Sequence, residues 1–221
     1  MPELVRIPAA TAELVARFDR PYISLIGNRA EVIQAIASSL LPYNFKLANL
    51  EIIHGKPVEE ACTFKIPELG ITFQFGAESY RLVKDGASWS TAAEDGAIWN
   101  AAETALLSTS GAIVASCRVT LAVHLVPQFK TRDEVIAPFI AAPFKYLSGE
   151  PMTGFGSHIR FADGGEVLFD NSLGYANGIF LRFSAELDGK PPIPEIFARL
   201  RHDEKHIFKM LDVEEEMGPN E

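Results

Sequence analysis

The sequence predicts an α+β protein made of two βαβββα-like halves, each an antiparallel-rich sheet with helices packed on one face. Three observations predict it. Short stretches of alternating apolar and polar residues dominate the chain. Helical stripes separate groups of such stretches instead of alternating with them one by one. The order strand, helix, strands, helix occurs twice, with a period of about 100 residues and no residue-level identity between the copies, so that the repetition is of pattern alone. The boundaries that follow are an N-terminal segment 1–20, a first half 21–111, a second half 112–212 and an acidic tail 213–221.

Along the first half, Leu14, Val15 and Phe18 have helical spacing within 11–18, and Tyr22–Gly27 reads as a short apolar strand. Asn28 with Glu31 is a capping-box variant ahead of a stripe of Val32, Ile33, Ile36, Ala37 and Leu40 that Pro42 ends. Phe45, Leu47, Leu50 and Ile52 suggest a strand with a bulge at Ala48–Asn49. Cys62, Phe64 and Ile66 alternate, as do Ile71, Phe73 and Phe75, with Tyr80 and Leu82 after them; Gly70, Gly76 and Asp85-Gly86 supply turns. The apolar run Ile71–Phe75 is expected to offer a sheet edge. Thr91 and Glu94 cap an Ala-rich helix whose Ile98, Ala101, Ala102, Ala105 and Leu106 face inward.

The second half opens on the strongest strand pattern. Ala115, Cys117, Val119, Leu121, Val123 and Leu125 take one face; Arg118, Thr120, Ala122 and His124 take the other. Thr131 and Glu134 cap a short helix; Pro138 bends it or lies in its first turn, and Pro143 stops it. Asp163-Gly164-Gly165 joins two strands marked by Ile159–Phe161 and Val167–Phe169. A further strand carries Ile179, Leu181, Phe183, Ala185 and Leu187, and a last helix carries Ile196, Phe197, Leu200, Ile207, Phe208 and Leu211.

Composition narrows the function classes. The chain has 221 residues, 48% of them hydrophobic, enough for a core without staples. No apolar run approaches the roughly 20 residues of a membrane span, and no continuous apolar segment marks a signal peptide, so a cytoplasmic protein is expected. Cys62 and Cys117 sit in alternating apolar runs and read as buried free thiols. The net charge is −9, and residues 203–221 hold seven acids and two lysines. No Lys/Arg cluster provides the basic footprint of a nucleic-acid binder.

Two constellations carry candidate chemistry. His202-Asp203-Glu204-Lys205-His206 imitates a zinc-binding H-E-x-x-H, yet the apolar stripe of its helix places both histidines toward solvent and Glu204 inward. No metal and no cofactor is therefore expected, and Glu204 reads either as an Arg-paired carboxylate or as a pocket acid. The second is a band of polar residues on the far face of the later strands: Arg118 with His124, His158 with Arg160, and Arg182 with Glu186. It reads as a solvated face with cross-strand ion pairs, or as a site in which His is a general base and Arg holds a carboxylate or phosphate. Arg118, His124, His158, Arg160, Arg182 and Glu204 are the candidate ligand-binding residues. No G-x-S-x-G, phosphate loop or C-x-x-C occurs. The expected function is a non-catalytic binding or interaction protein that self-associates. The alternative is a small-ligand binder or enzyme that uses the band on a small organic anion.

Two resemblances accompany this reading. Cys117–Pro127 (CRVTLAVHLVP), Trp89 and Ala198–Leu211 (ARLRHDEKHIFKML) resemble a sporadically distributed family of uncharacterised bacterial proteins, which implies no activity. The duplicated strand–helix–strand–strand order is similar to that of the gyrase-inhibitor-like modules, which implies small-molecule binding. Here each half is longer and closed by an extra helix.

Overall fold

A computed structural model describes residues 2–56, 59–86, 92–137, 156–160 and 165–216. The fold is α+β. Its strands are β1 (Glu3–Phe18), β2 (Leu50–Ile53), β3 (Ala61–Ile66), β4 (Ile71–Gly76), β5 (Ser79–Asp85), β6 (Val114–Pro127), β7 (Gly156–Arg160), β8 (Gly165–Asn171), β9 (Ile179–Asp188) and β10 (Val213–Glu215). Its helices are α1 (Ser24–Gly27), α2 (Arg29–Leu40), α3 (Ala92–Ser110), α4 (Arg132–Ile136) and α5 (Ile193–Leu211).

The chain divides into two compact units. The larger holds Thr11–Thr120 and Ala185–Arg199; the smaller holds Met1–Ala10, Leu121–Ser184 and Leu200–Glu221. Strands β1, β6 and β9 and helix α5 contribute residues to both. In the larger unit the strand order is β2-β3-β4-β5-β1-β6-β9, and in the smaller it is β1-β6-β9-β8-β7, with β10 parallel to the start of β1. The hairpins β3–β4, β4–β5 and β7–β8 are antiparallel. In the strand order β3, β4 and β5 run up to β1, and β7, β8 and β9 run up to β6; a 19-residue helix follows β5 in the chain and another follows β9.

Several local expectations are corrected. Residues 11–18 belong to β1, where Ala12, Leu14, Ala16 and Phe18 are buried with a period of two. Pairing with β5 from Thr11 to Arg17 overrides the helical preference of the alanines. Tyr22–Gly27 holds the helical turn α1 instead of a strand. Asn28 precedes α2 without a side-chain cap. The expected bulged strand is a 3-10 turn at Leu47–Asn49 followed by the short β2. Ile71–Phe75 is interior, bonded to β3 on one side and β5 on the other; the edge is β2. The Thr131–Glu134 capping box forms in full. Thr91, Trp89, Pro138, Pro143 and the Asp163-Gly164 turn lie outside the described residues.

The larger unit's core is aromatic. Phe45 meets Phe64, Phe64 meets Phe73, and Phe73 meets Tyr80, with ring centroids 5.5 to 6.2 Å apart. Each such buried side chain contributes roughly 1.5–3 kcal/mol. Helix α2 packs on α3, and Gly96 of α3 faces Ile193 at the start of α5, where an added Cβ would stand in ordinary contact at 3.5 Å. In the smaller unit Leu121, Val123, Leu125, Val167, Phe169, Leu181 and Phe183 are buried, and Leu200, Ile207 and Leu211 of α5 are buried as well. Cys62 and Cys117 are buried and free; burial raises both thiol pKa values.

Candidate functional site

The alternation of β6, β7, β8 and β9 sets out the polar band, and its charges other than Arg182 meet as ion pairs. In the larger unit Arg118 of β6 lies 3.5 Å from Glu186 of β9. In the smaller unit β7 pairs with β8 so that Arg160 stands opposite Glu166. Arg160 and His158 both reach that carboxylate, at 2.9 and 3.4 Å. Arg182 is exposed on β9 and meets no carboxylate among the described residues. Glu204 is buried on the same side of α5 as Leu200, Ile207 and Leu211, and Arg201, one turn earlier, holds it. His202 and His206 are exposed. Among the described residues no group of three or more His, Cys, Asp or Glu is placed to hold a metal ion.

His124 has a different environment. It is half-buried on β6, flanked by the rings of Phe180 at 5.0 Å and Tyr175 at 5.4 Å. Its Nδ1 is 2.8 Å from the Ser172 hydroxyl. That oxygen also accepts the Tyr175 N–H at 3.1 Å, which leaves the hydroxyl proton available to the ring. Burial lowers the His124 pKa and favours the neutral imidazole. The loop that presents Ser172 is tightly closed: Ser172 N–H donates to Gly178 O and Gly178 N–H to Tyr175 O, both at 3.0 Å. A Cβ on Gly178 would lie 2.8 Å from that of Ser172, so the closure requires glycine. Asn177, at φ 59°, accepts the Arg132 N–H at 2.7 Å and donates to Lys130 O at 3.3 Å. A neutral imidazole beside a hydroxyl can accept a proton from it, which is the chemistry of an activated nucleophile.

A third polar cluster lies inside the larger unit. Asp95, Trp99 and Glu103 follow one another at four-residue intervals and so share one stripe of α3, and all three are buried. Tyr80 and Lys84 share one face of β5. The Tyr80 hydroxyl donates to Glu103, whose other oxygen meets Lys190 Nζ. Lys84 Nζ lies 3.8 Å from Asp95 and donates to Leu69 O at 2.6 Å. Eight residues of helix rise about 12 Å and four residues of strand about 13 Å, so the two polar clasps match in spacing. Burial and the Glu103 charge push the Tyr80 phenol far above its usual range.

Of the six residues expected from sequence, His158 and Arg160 come together on one carboxylate, while Arg118 pairs separately, Arg182 stands exposed and Glu204 belongs to a helix. Sequence reasoning missed Ser172, Tyr175 and Phe180 around His124, because their proximity depends on which strands are neighbours. It also missed Asp95, Glu103 and Lys190; acids repeating at helical spacing beside Trp99 were the available signal. No family model matches the chain, and no curated protein matches it.

Proposed function

We propose that the protein is a non-catalytic binding protein that associates with further copies of itself. The observation that supports this reading is the pairing within the polar band. Arg118, His158 and Arg160 are each held by a glutamate on the adjacent strand, so their positive charge is answered within the fold. Exposed pairs of this kind contribute only about 0–1 kcal/mol to stability; their effect is to leave a balanced surface. Thermal melts with organic carboxylates and phosphates test the reading, together with sedimentation of the full chain. Unshifted melts and an assembly of more than one chain are expected. A melting temperature raised by one of these anions and returned to the parent value by Arg182→Ala would overturn it in favour of anion binding.

One observation favours a second reading, a small-ligand binder or enzyme centred on His124. Ser172 shares its proton with a neutral imidazole between two aromatic rings, and the similarity of element order to gyrase-inhibitor-like modules points the same way. A fluorophosphonate probe that labels Ser172, and fails to label a His124→Gln variant, would support this second reading; an unlabelled parent would remove its enzymatic form.

A further inference from the structure

We propose that the β2 edge of the larger unit is the surface through which two copies of this chain associate, strand against antiparallel strand about a twofold axis. The proposal deepens the binding reading above and rests on it. β2 ends the strand order of its unit, bonded to β3 on one side only, so its other side presents backbone N–H and C=O groups ready for another strand. The same stretch concentrates exposed apolar side chains. Leu41 is 61% exposed, Leu47 70%, Ile52 37% and Ile53 49%. These are four of the nine large apolar residues that stand exposed among the described residues, within thirteen positions of sequence. The four-residue strand alone would form few bonds, so Leu47, in the turn that leads directly into β2, has to be covered with it.

Charge argues for a second copy as the occupant. A patch that meets its own image repels itself unless its charges are balanced locally. Across 41–70 every lysine and every acid is in an ion pair: Lys46 with Glu68 at 3.1 Å, Lys65 with Glu51 at 2.7 Å, Lys56 with Glu59 at 4.0 Å, and Glu60 with Arg29 of α2 at 2.9 Å. Four cations meet four carboxylates. The edge is therefore neutral on a chain whose net charge is −9. A strongly basic partner would find no free acid here, and an acidic one no free cation. An identical copy finds apolar side chains, an open ladder and no net charge, and a twofold contact satisfies both copies with the same residues.

The test is the mass of the full chain by light scattering over a wide concentration series, with three variants. The parent is expected to reach twice 24.2 kDa. Ile53→Arg should raise the apparent dissociation constant at least tenfold while far-UV circular dichroism stays that of the parent. Met210→Arg, which alters an exposed apolar residue of α5, should leave association unchanged. Ile53→Cys should be joined to a second copy by a bismaleimide with a spacer of about 10 Å, the separation of two residues three positions off register in an antiparallel ladder, since the native cysteines are buried, and this decides the matter even if the arginine variant fails to fold. A parent dimer that Ile53→Arg does not weaken, or an Ile53→Cys that never cross-links, would overturn the edge while self-association stands. A parent that stays at 24.2 kDa would overturn both.

Discussion

Lys190→Met tests the buried Tyr80–Glu103–Lys190 cluster. Glu103 is 0% exposed, and its carboxylate meets one hydroxyl and one ammonium. Lys190 follows Gly189, whose positive φ and bond to Ala115 O turn the chain after β9. Removing the ammonium strands a negative charge in the core, and breaking a buried pair in this way costs about 3–5 kcal/mol. The Lys190 side chain keeps 23% of its surface in water, which places the expected loss near the lower end, about 3 kcal/mol. Glu103→Met should cost less, about 1–2 kcal/mol, because the freed lysine can turn to solvent. Changing both residues to Met removes charge and counter-charge together, and such replacements are often neutral. The double variant is thus expected within about 2 kcal/mol of the parent, a coupling of about 2–3 kcal/mol. Urea denaturation followed by far-UV circular dichroism, with slopes checked for constancy, measures all four corners of the cycle. A Lys190→Met protein within about 0.5 kcal/mol of the parent, or a double variant as damaged as the sum of the singles, would refute the claim that this lysine neutralises a buried carboxylate.

Three more outcomes are expected. Tyr80, Cys62 and Cys117 have raised pKa values because burial favours their neutral forms, so stability should be full below the ordinary thiol and phenol values and fall as pH rises through them; melts from pH 7 to 11 would show it, and a flat profile would contradict it. For Glu3, burial acts to raise the pKa, but the backbone N–H groups of Phe129, Lys130 and Gln128, with the Lys130 charge, lower it overall. Its stabilisation should be present above the ordinary carboxylate range and be lost as pH falls through the depressed value, and Glu3→Gln should remove that acid dependence. Leu200→Ala should cost about 2–5 kcal/mol, whereas changing exposed His202 and His206 to Ala should stay within about 0.5 kcal/mol each; equal losses in denaturant would mean that α5 is turned the other way.

The parts of the fold that were legible in the sequence are those where burial follows a clean period. β6 and α5 are the clearest: Cys117 to Leu125 alternate without interruption, and the apolar stripe of α5 is buried at Ile196, Leu200, Ile207 and Leu211. β1 was misread because Leu14, Val15 and Phe18 fit a helix as well as a strand, and only its pairing partners decide. The candidate band was legible face by face. Its electrostatics were not, because whether Arg118 is free depends on Glu186 some seventy residues away in sequence and 3.5 Å away in space. Asp95 and Glu103 were hidden for a simpler reason: acids are expected at the surface, and here the partners that keep them buried come from β5 and from the turn after β9.

The division of β1 between the two units has a kinetic consequence. Ala10 and Leu121 belong to the same compact unit, as do Thr120 and Ala185. Neither unit is a continuous piece of chain, and each can close only after a long excursion of the other. Contacts so distant in sequence make loop closure the early cost and slow the search for the native pairing. During synthesis at about 5–20 residues per second, β1 waits roughly 6–20 s before the part of β6 that shares its first residues' unit has been made. For that interval its alternating surface has no native neighbour from that unit, and a holding chaperone or a transient non-native partner would have time to find it.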